Sequence, residues 1–416
     1  MAVSEVRVPV EKLEVGQSIR LPLSWKEHPF LFSRFTIKDP QQIAIIAKLG
    51  LKYVFLQADS ASAQLIQQSL DADSLANSPA PEAPPQPSEE ELALLRAQEQ
   101  ERQATIDYHR QVRRCEQEYN KALEQLKAAY GYLAASPDRA FAEASSVIAT
   151  AQEQMEAYGE QVLLLQVSAN QDGKGLHYHG LNVCVLAMIL ARACDFDPAD
   201  IRLMAMAALF HDVGKLRIPH SILNKRVPLT KPEQAYVDAH PKMALEMLKG
   251  AALGHKRIKQ MVANHHEMLD GSGYPQGLQG EEICTLTQLL SVANEYDHLI
   301  NGSHKRLSPH LALAYLFKFR RGQLNPDFMQ SLVKVLGLYP TGSMVRLSND
   351  AVAKVVGVDE RDQKSPRVII YDPNVPRREA RVVSLLDLDL KVQEPLVEAE
   401  LPSSIRDYLS LNLGGA

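Results

Sequence analysis

Cysteine is scarce in this chain. Four residues (Cys115, Cys184, Cys194 and Cys284) are scattered over 416 positions with no CxxC pair. That excludes a disulfide framework and a cysteine zinc knuckle, and leaves reduced thiols, as expected of a cytoplasmic protein. Long apolar runs are missing too. The best, Val183 to Ala191, is about half of what a membrane span needs, and the opening MAVSEVRVPV lacks the basic-then-apolar layout of a secretory signal; no membrane insertion is expected. There is no basic excess: 45 Lys and Arg stand against 50 Asp and Glu, a formal net charge of -5. This argues against a partner that is a nucleic-acid polymer, while leaving room for a phosphate-bearing small ligand held by a local positive patch. The single tryptophan, Trp25, reads as a core anchor. What the chain does have is aliphatic material, with 45% apolar and 23% charged residues. That is ordinary for a globular protein of two or three domains and too apolar for a disordered one.

The texture changes along the chain. Residues 1–70 read as a small α+β domain. Val6, Val8 and Val10 alternate with polar residues, Asp39-Pro40 opens a helix that stops at Gly50, and YVFL is a buried strand. Residues 71–91 are a Pro/Ala-rich linker. Residues 92–167 have strong helix propensity and break at Ser136-Pro137-Asp138. They are read as a helical hairpin or signalling helices, with a homodimer or a signalling protein as the expected partner. Residues 168–337 are helical and hold most of the histidine. Residues 338–416 contain short β-branched segments and a terminal helix after Pro402. The fold class is therefore mainly α, with a small α+β N-terminal domain and a small antiparallel β appendage.

The histidines carry the chemistry. Eight of 13 lie between His177 and His266. His211-Asp212 ends the apolar helix opened by Asp197-Pro198, and a carboxylate there is costly unless it is paired or binds a metal. His179 opens another apolar helix. His240 sits at a junction set by the Thr230/Glu233 capping box and Pro241. His265-His266-Glu267 closes the helix HKRIKQMVANHH. Each alone is more often structural. Together they form a nest of nitrogen and oxygen ligands suited to Mn, Fe, Zn or Co. Asp270-Gly271-Ser272-Gly273-Tyr274-Pro275 follows, a tight turn on its own and a wall of the site in this setting, where the Tyr274 ring offers a surface for a base. Ten Lys or Arg stand against three acids between Lys215 and Lys259, a local bias suited to steering an anion.

HDVGK at 211–215 followed by HHEMLDGSGYP at 265–275 resembles the HD-GYP family, a branch of the HD phosphohydrolase superfamily. The likeness includes His179, the segment around 218–223 and KPEQ…HP at 231–241. Residues 1–70 resemble the small domain of uncharacterised function that precedes many such proteins, and the β appendage looks like the tail of that subgroup. The resemblance implies an all-helical HD-type metal-dependent phosphohydrolase domain that hydrolyses the bacterial second messenger cyclic di-GMP to pGpG and on to GMP. It also implies divalent transition metal ions, usually two and of iron or manganese. On this reading His179, His211 and Asp212 hold one ion. Asp212, His240, His265 and His266 hold the other, with the Asp212 carboxylate bridging. Lys215 contacts the scissile phosphate, and Gly273, Tyr274 and Pro275 shape the substrate loop.

The chain departs from the family pattern at several points. Asn294 stands where the family has its last metal-binding aspartate, so that ligand brings no charge; Asp297, one turn on, is expected to compensate through water. Gln288 replaces a frequent arginine. The segment NGSHKRLSPH is short, and Lys305 and Arg306 are expected to take over the substrate grip. Gly175 stands where trinuclear members carry glutamate, which points to two ions rather than three. The first functional expectation is an active cyclic di-GMP phosphodiesterase. The alternative is a weak or inactive domain acting as a cyclic di-GMP receptor or protein-interaction module. An HD hydrolase acting on another nucleotide is a weaker third.

Overall fold

The computed structural model describes residues 3–23, 28, 30, 33–59, 89–168, 175–225, 227–249, 256–302 and 306–410. Trp25, Lys305 and residues 71–88 of the expected linker lie outside them. Contacts divide the chain into two compact units, residues 1–106 with 372–380, and residues 107–371 with 381–416.

The first unit holds a four-stranded antiparallel sheet of order β1-β4-β2-β3, made of β1 (Val3–Pro9), β2 (Ser18–Arg20), β3 (Arg34–Thr36) and β4 (Tyr53–Asp59). Alternation sets its register. Val6 pairs Leu56 and Val8 pairs Val54, so one face is apolar. That face, with Ile19, Ile37 and Ile46, forms the core of the unit. Helix α1 (Pro40–Lys48) starts as its sequence indicates: the Asp39 side chain accepts from the Gln41 amide and Pro40 occupies the first turn.

The second unit is mostly helical. Helix α2 (Glu89–Tyr132) enters it from the first unit, and α3 (Pro137–Tyr158) follows the break at Ser136-Pro137. The helical segment breaks once more than its composition indicates. Gly159 takes φ 81° and separates α3 from α4 (Glu160–Ser168), a backbone conformation that glycine adopts without a Cβ penalty. Then come α5 (Leu176–Ala193), α6 (Pro198–Phe210), the 3-10 turn Val213–Arg217, α7 (His220–Leu223), α8 (Lys231–Asp238), α9 (His240–Met247) and α10 (Lys256–Asn264). Helices α11 (Thr285–Asn301), α12 (Pro309–Phe319) and α13 (Pro326–Leu336) complete the helical part. Asp197 sits at the N-cap of α6, yet its side chain makes no capping bond.

One apolar cluster runs from Val112 on α2 through α3–α6 to α11–α13, so residues of 112–167 share a core with the histidine-rich helices. Helix α5 has the length and composition of a membrane-crossing helix taken whole, but residues 180–191 are all buried in this core. Beyond α13, strands β5 (Met344–Leu347), β6 (Val352–Gly357), β7 (Arg367–Ile370), β8 (Val382–Ser384) and β9 (Val392–Leu396) form an antiparallel sheet of order β8-β7-β6-β5-β9. Helix α14 (Ser403–Leu409) follows Pro402.

Candidate metal centre

Helix ends deliver the site. His179 lies in the first turn of α5, and the adjacent Gly180 leaves room for the Tyr130 hydroxyl. A Cβ there would fall 2.5 Å from that oxygen. Tyr130 donates to the carbonyl of Leu209, at the end of α6, and so joins the helix that carries His179 to the one that ends in His211. Asp212 opens the 3-10 turn. Gly214 lets that turn lie directly on the start of α9, since a Cβ would sit 2.0 Å from the His240 carbonyl oxygen. The capping box forms as expected. The Glu233 carboxylate accepts from the Thr230 amide at 2.7 Å, and α8 ends where His240 begins α9. His265 and His266 follow α10, and Ser291 of α11 donates to the His265 carbonyl at 2.9 Å.

These residues converge into two ligand groups. His179, His211 and Asp212 form one; Asp212, His240, His265 and His266 form the other, each with ligand atoms within 4.8 Å of one another. Asp212 belongs to both. Its Oδ2 lies 3.5 Å from His179 Nε2 and 3.6 Å from His211 Nε2, while its Oδ1 lies 3.0 Å from His240 Nε2 and 3.7 Å from His265 Nε2. Asn294 joins the first group, with its Oδ1 2.9 Å from His179 Nε2. Lys215 Nζ lies 2.5 Å from Asp212 Oδ2.

The tautomers follow from the partners. Nδ1 of His211, His240 and His265 faces the carbonyls of Ala208, Val237 and Val262 at 2.7, 2.8 and 2.9 Å. His179 Nδ1 faces Asp297 Oδ2 at 2.7 Å. For His211, His240 and His265 that partner is an acceptor, so Nδ1 carries a proton and Nε2 keeps a lone pair, whereas both nitrogens of His179 face acceptors, Asp297 Oδ2 and Asn294 Oδ1, which suits a protonated ring in the metal-free protein. The lone pairs of His240 and His265 crowd one another, with their Nε2 atoms 3.2 Å apart, and His211 Nε2 lies 3.2 Å from His179 Nε2. Positive charge beside them relieves this arrangement. His266 Nε2 is buried without a hydrogen-bond partner, as is Asp212 Oδ1, a costly state for polar atoms unless something else binds them. The donor set of imidazole nitrogens, one shared carboxylate and an amide oxygen fits divalent transition metal ions.

The electrostatics agree. Burial pushes His211 and His266 well below the usual imidazole range and His265 down to about 4, reinforced by the neighbouring imidazoles, so the lone pairs stay free of protons. Burial also pushes His179 down, but the hydrogen bond and charge of Asp297, with Asp212, leave it raised. Burial raises Asp212, yet the charge of Lys215 beside it is foremost in holding it well below the usual carboxylate range.

The loop after His266 is pinned from within. Glu267, 2% exposed, accepts from the amides of Gln276 (2.7 Å) and Leu278 (3.0 Å). Gly273 is required by close approach, since a Cβ would meet Met268 N at 2.3 Å and His266 O at 2.4 Å. Gly271 is required by its φ of 77°. The Tyr274 ring stacks on His266, with centroids 4.6 Å apart and planes at 19°, so one of its faces is already covered. Pro275 is exposed beside it. Buried Glu295 of α11 pairs with Arg320 at 2.8 Å.

Several expectations change. Asp297 meets the other nitrogen of the ring that Asn294 touches. Its Oδ2 holds the far edge of the His179 ring and its Oδ1 accepts from Asn301 at 2.7 Å, so it orients His179 rather than replacing a ligand. Arg306 is exposed, with Nε donating to the Gly302 carbonyl at 3.2 Å. Gln288 is a structural pin: it donates to the Ile283 carbonyl at 2.8 Å and accepts from Asn325 at 2.7 Å. Part of the local basic bias is neutralised, because Lys225, Lys249 and Arg257 pair with Glu233, Glu246 and Asp200. Glu267, Tyr130 and Gly214 had no assigned role from sequence. The first and last lie inside the HHE and HDxGK strings, which is the signal they offered.

Known proteins share these features. The HD domain profile matches residues 125–327, and that of a domain of unknown function, DUF3391, matches residues 5–144. The chain is 31% identical over 214 residues to the cyclic di-GMP phosphodiesterase PA4108 of Pseudomonas aeruginosa, covering 50% of this chain and 51% of that protein. It is 33% identical over 152 residues to the cyclic di-GMP phosphodiesterase response regulator RpfG of Xanthomonas campestris, covering 36% and 40%. It is 32% identical over 164 residues to the 3'3'-cGAMP-specific phosphodiesterase 3 of Vibrio cholerae, covering 39% and 35%. The match thus spans about half or less of each relative's own length. The chain thus carries an HD domain preceded by a match to DUF3391, and in its HD and GYP strings it is similar to these phosphodiesterases.

Proposed function

We propose that this protein is a metal-dependent phosphodiesterase that hydrolyses cyclic di-GMP to pGpG, GMP or both, acting in the cytoplasm in bacterial second-messenger signalling. The observation that carries the reading is the placement of Asp212, one carboxylate oxygen toward each of two histidine groups. His179, His211, Asp212 and Asn294 would hold one ion, and Asp212, His240, His265 and His266 the other, with iron or manganese as the expected metals. Bound divalent cations supply Lewis-acid charge to a phosphodiester and acidify water.

The chain's own residues do the rest. Backbone carbonyls and Asp297 fix the imidazole tautomers, so the ligands need no rearrangement. Lys215, held by Asp212, offers a cation to a phosphoryl oxygen. Glu267 and Gly273 hold the loop of Tyr274 and Pro275 as a wall for the dinucleotide. Lys305 and Arg306 are assigned to the outer substrate grip, and residues of 92–167 to homodimer or signalling-protein contacts.

Elemental analysis of the purified protein and chromatography of its products test this reading. About two transition metal ions per chain with release of pGpG or GMP is the expected result. One observation favours a second reading, a cyclic di-GMP receptor: the neutral Asn294 deprives the first group of a charge. Metal-poor protein that binds the dinucleotide and releases no product would establish the receptor.

A further inference from the structure

Asp297 holds the His179 ring, and its own carboxylate has to be held in turn. The residue is fully buried. The end torsion of an aspartate side chain is soft, so a single contact would leave the group free to turn. The structure supplies two. Oδ2 meets His179 Nδ1 at 2.7 Å, and Oδ1 accepts from Asn301 Nδ2, one turn further along α11, at 2.7 Å. The same Asn301 nitrogen donates to the Val167 carbonyl at 3.0 Å. Val167 lies in the last turn of α4, where carbonyls have no partner within the helix. One amide group thus serves two acceptors and uses both of its hydrogens, which fixes its orientation. The end of α4 is fixed as well, by the segment that leads into β5. The Ser168 hydroxyl lies between the Leu164 and Thr341 carbonyls, at 2.9 and 2.8 Å, and the Thr341 hydroxyl donates to Gln161 Oε1 at 2.9 Å. Gly342, at φ 93°, lies so close that a Cβ would fall 2.6 Å from Ser168 Cβ. A ring of the first ligand group is therefore tied through two side chains to a helix end that cannot shift freely.

We propose that Asn301 is a positioning residue of the metal centre: its amide locks the Asp297 carboxylate against the His179 ring and anchors both on the carbonyl end of α4. This inference rests on the metal centre of the phosphodiesterase reading. The test uses the full-length chain as wild type, Asn301→Ala, Asp297→Ala and the double variant. Manganese(II) affinities come from competition with a chromophoric chelator, and cyclic di-GMP turnover is followed on the same samples. The binding step that Asp297→Ala weakens identifies the first ion. Asn301→Ala should weaken that step by about 3- to 30-fold, somewhat less than the 10- to 100-fold expected for a direct partner of a ligand, and leave the other step within twofold. In the Asp297→Ala background it should lose more than half of its effect, because two residues that act through one contact are not additive. The proposal is overturned by a change under threefold, by equal weakening of both steps, by full additivity with Asp297→Ala, or by an Asp297→Ala variant that weakens neither step. Should Asn301→Ala fail to fold, Asn301→Leu, which fills the space without an amide, takes its place under the same criteria; misfolding of both overturns the proposal, since the residue would then support the fold as a whole. Wild type that binds manganese and releases no product brings down the phosphodiesterase reading alone, because the affinities still decide the role of Asn301. Wild type that binds no metal brings down both.

Discussion

Replacing Asn294 by aspartate would place a negative charge where the amide oxygen now lies 2.9 Å from His179 Nε2. The position is 3% exposed, so the new charge is poorly screened. A unit charge about 4 Å from a divalent ion gains about 8 kcal/mol at an effective dielectric constant of about 20. Three costs oppose it. Desolvating a buried carboxylate takes several kcal/mol, Asp212 and Asp297 repel it from nearby, and in the metal-free protein it pairs with a protonated His179. The net gain should be about 1.5–3 kcal/mol, or about 10- to 100-fold in affinity for the first ion. Because Asp297 leaves the His179 pKa raised, protons compete with the metal at low pH, and the gain is best measured above neutrality. Competition with a chromophoric chelator, and metal content after dialysis, give the affinity directly. An unchanged affinity for both ions would refute the reasoning, since it would mean that Asn294 lies outside the coordination sphere.

Asp297→Ala frees the far edge of the His179 ring and should cost about 10- to 100-fold in metal affinity or activity, as losses of ligand-orienting partners do; the same chelator competition measures it. Gly273→Ala drives a Cβ to 2.3 Å from Met268 N. It should lower stability by about 1–3 kcal/mol and displace Tyr274 from His266, which thermal denaturation and dinucleotide turnover report together. In the C-terminal sheet, buried Asp359 accepts from Arg361 and Ser384, and the Arg361 hydrogen bonds hold its carboxyl below the usual range. A lowered native pKa gives stability that is present above the unfolded value of about 3.9 and lost as pH falls below it. Asp359→Asn should therefore flatten the acid limb of the stability curve below about pH 5, measured by urea unfolding from pH 7 to pH 3.

Local chemistry made many of the elements legible. Asp39-Pro40, Ser136-Pro137 and the Thr230/Glu233 box mark helix starts because capping and proline geometry act within three or four residues. The alternation of Val6 and Val8 marks a strand for the same reason. The candidate ligands were also readable, since histidines next to helix ends are an unusual thing to bury. The division of labour around them was not. Sequence alone had Asp297 compensating for Asn294 through water, but the turn of α11 sets its carboxylate on the Nδ1 edge of the His179 ring. Glu267, adjacent to two ligands in the chain, points away from them and clamps a loop.

The chain by itself determined where helices begin, which residues bear lone pairs and charge, and that imidazoles cluster near helix ends, because each of these depends on neighbours a few positions away. Only the tertiary packing decided that His179, His211, His240 and His265, spread over some ninety residues, turn their Nε2 atoms onto the two oxygens of one aspartate. That convergence depends on contacts such as Gly214 against the His240 carbonyl and Tyr130 against Leu209, which join segments far apart in sequence and leave no periodic trace in it.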